Sequence, residues 1–221
     1  MKLGTVLAVF ALCAVVAFSS TLTLAQTKEK AANPMVLVKT SMGSFKIELY
    51  PEKAPVTVKN FLDYVDKKFY DGTTFHRVIP GFVIQGGGFD KDMMKKATLP
   101  PIKNEATNGL KNLKATLSMA RTSDINSATS QFFVNLKDNA ALDHVGDAQY
   151  GYAVFGKVVQ GFEVIEKIAA VKTTTKGAYS DVPEKPVIIN SMMKVGPEQA
   201  LEKAPEKATE KAPEKEAPKS K

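Results

Sequence analysis

The chain has 221 residues, and 44% of them are hydrophobic, which is enough for the core of one domain of ordinary size with additional segments. The net charge of +7 raises the question of an acidic or nucleic-acid partner. The lysines are scattered, however, without a run of five basic residues and without interleaved aromatic residues. This pattern argues against a nucleic-acid-binding surface, which needs clustered charge and stacking aromatics.

The first 25 residues are typical of a signal peptide. Lys2 provides a short positive segment, residues 6–18 form an almost unbroken apolar run, and Thr23-Leu24-Ala25 resembles a cleavage site. An uncleaved anchor is the alternative, but the run is short for a helix that spans a bilayer permanently. We therefore predict a periplasmic or secreted protein without stable membrane insertion after cleavage. Cys13 lies in this segment, so the cleaved protein would contain no cysteine and no disulfide.

The rest of the chain divides into three parts by composition. Residues 26–33 form a short polar linker, and residues 34–196 contain all the predicted strands and helices. From Pro197 onward Glu, Lys, Ala and Pro dominate, and Glu-Lys-Ala recurs every four residues from position 202. This period suits a helix, but prolines interrupt it and no face is apolar. We predict that residues 197–221 are a disordered tail, with docking to a partner as the alternative.

The folded part begins with a predicted hairpin and a helix. Two apolar runs, 36–38 and 45–49, flank Ser41-Met42-Gly43 and are typical of paired strands with Gly43 in the turn. The helix starts near Pro55, because proline is tolerated in a first helical turn. Its apolar positions recur with the spacing of one helix face, and they are Val58, Phe61, Leu62 and Val65.

Residues 75–88 contain two apolar strands joined by Pro80-Gly81, a pair that favours a turn. Since side chains alternate along a strand, we expect Phe75 and Arg77 on one face and His76 on the other. His76 is then a structural residue. An arginine on such an apolar strand indicates either an ion pair at a sheet edge or a functional site.

The remaining predicted elements are short. A second helix is predicted at 162–170, and Gly156 suggests a bulge in the strand that precedes it. The other strands are predicted at 115–120, 131–134, 152–159 and 187–189. Many short strands with only two helices indicate an antiparallel barrel, although the pattern does not give the strand order.

Five ordered motifs resemble those of the cyclophilins, a family of peptidyl-prolyl cis-trans isomerases. They are 75–88, Leu117-Ser118-Met119-Ala120, Ser130-Gln131-Phe132-Phe133, Leu142-Asp143 and Val154-Phe155-Gly156-Lys157-Val158. The resemblance extends from about Val36 to Val195, is closest to the bacterial secreted branch, and makes residues 34–196 an isomerase domain. It implies a mainly β fold: a closed eight-stranded antiparallel β-barrel capped by two α-helices, with the substrate groove on its outside.

The resemblance places the family's catalytic arginine on Arg77. Isomerisation of an X-Pro bond has a barrier of about 18–20 kcal/mol because amide resonance must be broken. A fixed guanidinium near the imide nitrogen stabilises the twisted state more than either planar state. Gln85 matches the glutamine that binds the substrate backbone and orients the arginine. The resemblance thus implies Arg77, Phe82 and Gln85 as the catalytic residues.

A substrate-binding set follows from the same resemblance: Val83, Phe133 and Leu142 with Phe82 around the proline ring, Ala120 and Arg121 on the peptide main chain, and Tyr152 as an aromatic wall. Two positions depart from the family pattern. Ala141 stands where the family usually has Trp, which predicts weak binding of the drug cyclosporin. Tyr152 stands where the family usually has His, and it preserves an aromatic ring with a polar group.

We therefore expect a peptidyl-prolyl cis-trans isomerase that acts on proline-containing unfolded or exported polypeptides, as a monomer. No cofactor is needed for this chemistry. A metal site is not expected, because the cleaved chain would have only two histidines and no cysteine. The alternative is a proline-peptide-binding chaperone module with little turnover, against which the intact pair Arg77 and Gln85 argues.

Overall fold

The computed structural model describes residues 32–196, so the predicted signal peptide, most of the predicted linker and the predicted tail lie outside the described residues. Besides two short 3-10 helices, Ala106–Asn108 and Ala140–Leu142, the chain within 32–196 forms two α-helices, α1 (Pro55–Asp66) and α2 (Phe162–Ala169). Neither of these two helices is long and apolar enough to cross a membrane. The strands in this part of the chain are β1 (Met35–Thr40), β2 (Gly43–Leu49), β3 (Thr73–Ile79), β4 (Val83–Asp90), β5 (Thr116–Met119), β6 (Phe132–Asn135), β7 (Val154–Gln160), β8 (Thr173–Lys176), β9 (Tyr179–Pro183) and β10 (Ile189–Val195).

Eight of these strands form one antiparallel sheet in the order β10-β1-β2-β7-β5-β6-β4-β3. The predicted hairpin of β1 and β2 is confirmed, and so is the pair of β3 and β4 around Pro80-Gly81. The strands β8 and β9 form a separate hairpin that was not predicted from the sequence.

The prediction of a closed barrel is wrong, because the curled sheet stays open between its edge strands β3 and β10. One bridge, Thr74 to Ile188, joins these edges, with main-chain hydrogen bonds on either side from Gly72 N to Ile189 O (2.9 Å) and from Phe75 N to Val187 O (3.0 Å). Beyond this bridge the hairpin of β8 and β9 packs against β3 instead of β10. Pro183, the last residue of β9, and Pro186, which precedes the bridge, have no N–H with which to extend a ladder along β3.

Both helices bury the faces that their sequence patterns indicate. Helix α1 has Pro55 in its first turn, and the Glu105 carboxylate accepts hydrogen bonds from the amides of Val56 (3.1 Å) and Thr57 (2.8 Å) at its N-terminus. Phe61 packs its ring against Phe132 of β6, Phe155 of β7 and Tyr70, which lies in the turn between α1 and β3. Helix α2 buries Val164, Ile165 and Ile168.

The inner face of the sheet forms the core and leaves the outer face for the site. Four cross-strand neighbours, each 0% exposed, run across it: Val78, Ile84, Val134 and Leu117. Phe75 also lies in the core, because the register of β3 shifts between Phe75 and Arg77. The prediction that Phe75 and Arg77 share a face is therefore wrong, and the bulge turns Arg77 outward.

Candidate active site

Three side chains of the predicted site form one row across the outer face of the sheet. Arg77 of β3 is the cross-strand partner of Gln85 in β4, and Gln85 is the partner of Phe133 in β6. Directly opposed residues in antiparallel strands lie on the same face with close Cβ atoms. Val83 lies two positions from Gln85 and so on the same face. We refer to Arg77, Gln85, Phe133 and the residues that contact them as the outer-face site.

Arg77 is the partly exposed cation of this site. Its side chain is 40% exposed, and its Nε lies 3.8 Å from Oδ2 of Asp181 in β9. The sequence pattern left two interpretations of Arg77 open, an ion pair at a sheet edge and a functional site. The structure contains the ion pair, and within residues 32–196 no hydrogen bond or ion pair engages the terminal guanidinium nitrogens, so the two interpretations are compatible.

Gln85 is oriented by Gln131, a residue that sequence reasoning did not assign to the site. Nε2 of Gln85 donates to Oε1 of Gln131 (2.9 Å), whereas no side-chain hydrogen bond among the described residues joins Gln85 to Arg77. Gln131 is itself confined, since a Cβ on Gly88 would lie 2.5 Å from its Cγ. Gln131 belongs to the motif Ser130-Gln131-Phe132-Phe133. This motif relates the chain to its family but did not indicate a role for Gln131.

Tyr152 and Arg121 extend the site beyond β6 with an aromatic ring and a guanidinium. The rings of Phe133 and Tyr152 meet edge to face with centroids 5.6 Å apart, and Cζ of Arg121 lies 4.8 Å from the centre of the Tyr152 ring. The amide of Tyr152 donates to the carbonyl of Leu142 (2.9 Å), which ties these two rim residues together. Ala141 lies beside them and is exposed.

The two other predicted residues lie at the borders of this surface. Phe82 is in the turn between β3 and β4, is half-buried, and its carbonyl accepts hydrogen bonds from Leu136 N (2.9 Å) and Asn139 Nδ2 (3.1 Å). Ala120 follows β5, and its amide donates to the carbonyl of Gln131 (2.9 Å). The structure thus connects Ala120 to the site through the backbone of the same residue that orients Gln85.

A buried polar network supports residues 141–152, which we call the rim segment. Nδ2 of Asn112 donates to the carbonyl of Leu142 (3.0 Å) and its amide donates to Oδ1 of Asp143 (2.7 Å). Oγ of Ser118 donates to Oδ1 of Asn112 (2.6 Å) and is fully buried. Ser118 is therefore a structural hydroxyl. Asn112 lies outside every predicted strand, helix and motif, so its role was missed.

The two histidines have separate surroundings. His76 is buried beside Phe89, with ring centroids 4.6 Å apart, and burial together with the nearby Arg77 charge lowers its pKa to about 4. His144 lies in the rim segment, with Nδ1 2.9 Å from the carbonyl of Tyr150. No cluster of three or more His, Cys, Asp or Glu side chains in the described range forms a metal site.

The fold and the site define a mainly β protein that presents an exposed guanidinium, an amide and an aromatic wall on the outer face of a curled sheet. Residues 35–194 match the family model described as cyclophilin type peptidyl-prolyl cis-trans isomerase/CLD. The chain therefore belongs to the cyclophilin-type peptidyl-prolyl cis-trans isomerase family. This match confirms the predicted family and the predicted isomerase activity.

Individual proteins agree with the family match. The chain is 62% identical over 156 residues to a peptidyl-prolyl cis-trans isomerase A of Dickeya dadantii, covering 71% of this chain and 82% of that protein. It is 52% identical over 160 residues to the isomerase B of Escherichia coli, covering 72% and 98%. A solved structure of a Cryptosporidium parvum cyclophilin, determined in the presence of the dipeptide Ala-Pro, superposes with a TM-score of 0.64 at 28% identity, covering 73% of this chain and 99% of that one.

Proposed function

We propose that the outer-face site isomerises X-Pro bonds of polypeptides, with Arg77 as the catalytic donor. The observation that carries this proposal is the row of Arg77, Gln85 and Phe133, which sets a guanidinium beside an amide and an aromatic ring on one face. The family match over residues 35–194 supports it.

The mechanism follows from the electronic change at the imide nitrogen. In the planar X-Pro bond the nitrogen lone pair is delocalised, and rotation costs about 18–20 kcal/mol because this resonance is lost. In the twisted state the lone pair returns to the nitrogen and accepts a hydrogen bond. A terminal nitrogen of Arg77 donates to it, and this interaction is absent in both planar states, so it lowers the barrier. The guanidinium keeps its charge and its donors throughout.

The other predicted residues hold the peptide in this mechanism. The proline ring packs against the apolar surface of Phe133 and Leu142, with Tyr152 as the outer wall and with Phe82 and Val83 on the near side. Gln85 donates to the peptide main chain, and Ala120 and Arg121 bind the main chain on the opposite border. Because no covalent intermediate forms, the site needs no nucleophile, metal or cofactor.

The clients are proposed to be exported polypeptides. This part of the proposal rests on the signal-like residues 1–25, which would direct the protein to the periplasm or outside the cell. Uncatalysed X-Pro isomerisation takes roughly tens to hundreds of seconds and limits the folding of many chains. A catalyst that uses no ATP suits a compartment without it. We further propose that the protein acts as a monomer.

The test is exchange between cis and trans Ala-Pro peptides, followed by NMR, with wild type, Arg77→Ala and Arg77→Lys. We expect Arg77→Ala to lower kcat/KM by about 100-fold or more, as removal of a transition-state donor commonly does. Arg77→Lys should recover little, because an ammonium does not reproduce the guanidinium fork. Lys67→Ala, which removes an exposed cation next to α1, serves as the control and should match wild type.

Two outcomes would contradict the proposal in different ways. Equal rates for wild type and Arg77→Ala would remove Arg77 from the mechanism. Binding of the peptide without acceleration of its exchange by wild type would favour the proline-peptide-binding chaperone module.

A further inference from the structure

We infer that Asp181 is a positioning residue for Arg77, an inference that rests on the proposed function. Asp181 lies in the hairpin of β8 and β9, which packs against the edge strand β3. Its Oδ2 is 3.8 Å from Nε of Arg77. None of the five motifs that relate the chain to its family includes this hairpin.

The hairpin is anchored on both sides of Asp181. Val182 and Pro183, which follow it, are buried, and the amide of Glu184 donates to the carbonyl of Lys172 (3.0 Å) at the base of the hairpin. On the other side, the ring of Tyr179 packs on Phe89 with centroids 5.2 Å apart. These contacts hold Asp181 in a fixed position next to β3.

The backbone of Asp181 indicates a functional constraint. Its φ is +59°, in the left-handed region that few residues other than glycine adopt. Aspartate and asparagine tolerate this region better than other side chains, at some cost in strain. The turned backbone directs the carboxylate toward Arg77, and Oγ of Ser180 donates to the same Oδ2 (3.2 Å). A glycine would relieve the strain but would leave Arg77 without its partner.

The position of the carboxylate decides which part of Arg77 faces a substrate. Asp181 lies on the Nε side, so the terminal nitrogens stay available to donate to a peptide. Arg77 is long and 40% exposed, and without this contact it would sample several rotamers. Because the pair is partly exposed, it contributes little to folding stability. Its effect should therefore appear in turnover rather than in stability.

The test compares Asp181→Asn and Asp181→Gly with wild type in the full protein. Asparagine and glycine both tolerate the left-handed backbone at position 181, and both substitutions remove the carboxylate charge. We expect kcat for an uncharged Ala-Pro peptide to fall about 3- to 10-fold with KM unchanged, since small errors in placing a catalytic group are costly. Glu184→Gln removes an exposed carboxylate three residues further along the chain and should leave kcat and KM unchanged.

Two further measurements separate positioning from a general structural effect. In an Arg77→Ala background, Asp181→Asn should have no additional effect on kcat, because coupled residues are not additive. The chain has only two arginines, Arg77 and Arg121, so the Nε–Hε region of an NMR spectrum contains an internal reference. Asp181→Asn should shift the Arg77 signal and leave that of Arg121 in place.

Each result bears on the inference. It is overturned if Asp181→Asn has the kcat of wild type, or if the same loss of kcat appears with Arg77→Ala already present. An inactive wild type would instead overturn the proposed function, and the inference with it. An active wild type with an unaffected Asp181→Asn variant overturns the inference alone.

Discussion

Two consecutive residues of β3 have opposite surroundings. His76 is 6% exposed against Phe89, whereas the side chain of Arg77 is 40% exposed on the outer face. A protonated His76 would be costly, because burial would remove the hydration of its charge and Arg77 would place a like charge beside it. His76 therefore stays neutral in the folded protein, and Arg77 is the single cation at this point of the strand.

The neutral state of His76 predicts a pH dependence of stability. Its pKa is about 4 in the folded protein and near the ordinary value of 6.5 in the unfolded chain. Between these values the unfolded chain binds one proton more, so the free energy of unfolding falls as the pH falls from about 6.5 to about 4. The total loss from this residue is about 3 kcal/mol. Urea unfolding of wild type and His76→Leu at pH 7, 5.5 and 4.5 measures it.

The informative quantity is the slope with pH and not the stability at one pH. His76→Leu should lose less stability than wild type on acidification. Val78→Ala, a cavity variant in the same strand, should be less stable throughout but should keep the slope of wild type. If the curves of wild type and His76→Leu run parallel, the folded-state pKa of His76 is not lowered.

At the scale of single residues, the sequence motifs predicted the site residues that lie within them. They did not predict the residues that contact and orient those site residues. Arg77, Gln85 and Phe133 were predicted together because each belongs to a recognisable motif, and the sheet register aligns them. Asp181 and Asn112 could not be found in this way. A contact such as that of Asp181 with Arg77 depends on how a distant hairpin packs, and no local pattern encodes that distance.

At the scale of elements, the hairpin of β8 and β9 was the main omission. Its strands read Thr-Thr-Thr-Lys and Tyr-Ser-Asp-Val-Pro, so they lack the alternation of apolar and polar residues by which strands are recognised. The same hairpin explains why the barrel is open, since it packs on β3 where β10 would have closed the sheet. Elements with a clear apolar period, such as α1 and β2, were predicted close to their observed bounds.

The pairing of β2 with β7 depends on a glycine. A Cβ on Gly156 would lie 2.5 Å from the carbonyl oxygen of Glu48, which belongs to the neighbouring strand and cannot move without opening the ladder. We expect Gly156→Ala to reduce the free energy of unfolding by about 1–3 kcal/mol, as overpacking of a tight contact does. Urea denaturation of the two proteins measures this change.

Gly146 provides a matched control for this prediction. It lies in the rim segment, a Cβ there would have no heavy atom within 4 Å, and its φ is not left-handed. Gly146→Ala should therefore unfold within about 0.5 kcal/mol of wild type. Equal midpoints for both alanine variants would show that the approach of β2 to β7 can relax without cost.

At the scale of the whole molecule, both ends of the described fold lie far in strand order from the outer-face site. Met35 in β1 pairs with Val195 in β10, so the two ends meet at one edge of the sheet. The site is carried by β3, β4 and β6 at the other end of the strand order. The strand order therefore separates the two ends of the described fold, on β1 and β10, from the row that contains Arg77.

This separation leads to a prediction about processing. The family match begins at residue 35, and residues 1–25 have the pattern of a signal peptide. We expect the exported protein to start at Gln26, as measured by its intact mass, and to contain no thiol, since Cys13 is the only cysteine. Ala25→Phe, which removes the small residue before the cut, should retain the segment and one thiol. A wild-type protein that keeps Met1 and reacts with one equivalent of a thiol reagent would show an uncleaved anchor, and the proposed free periplasmic or secreted form would then be wrong.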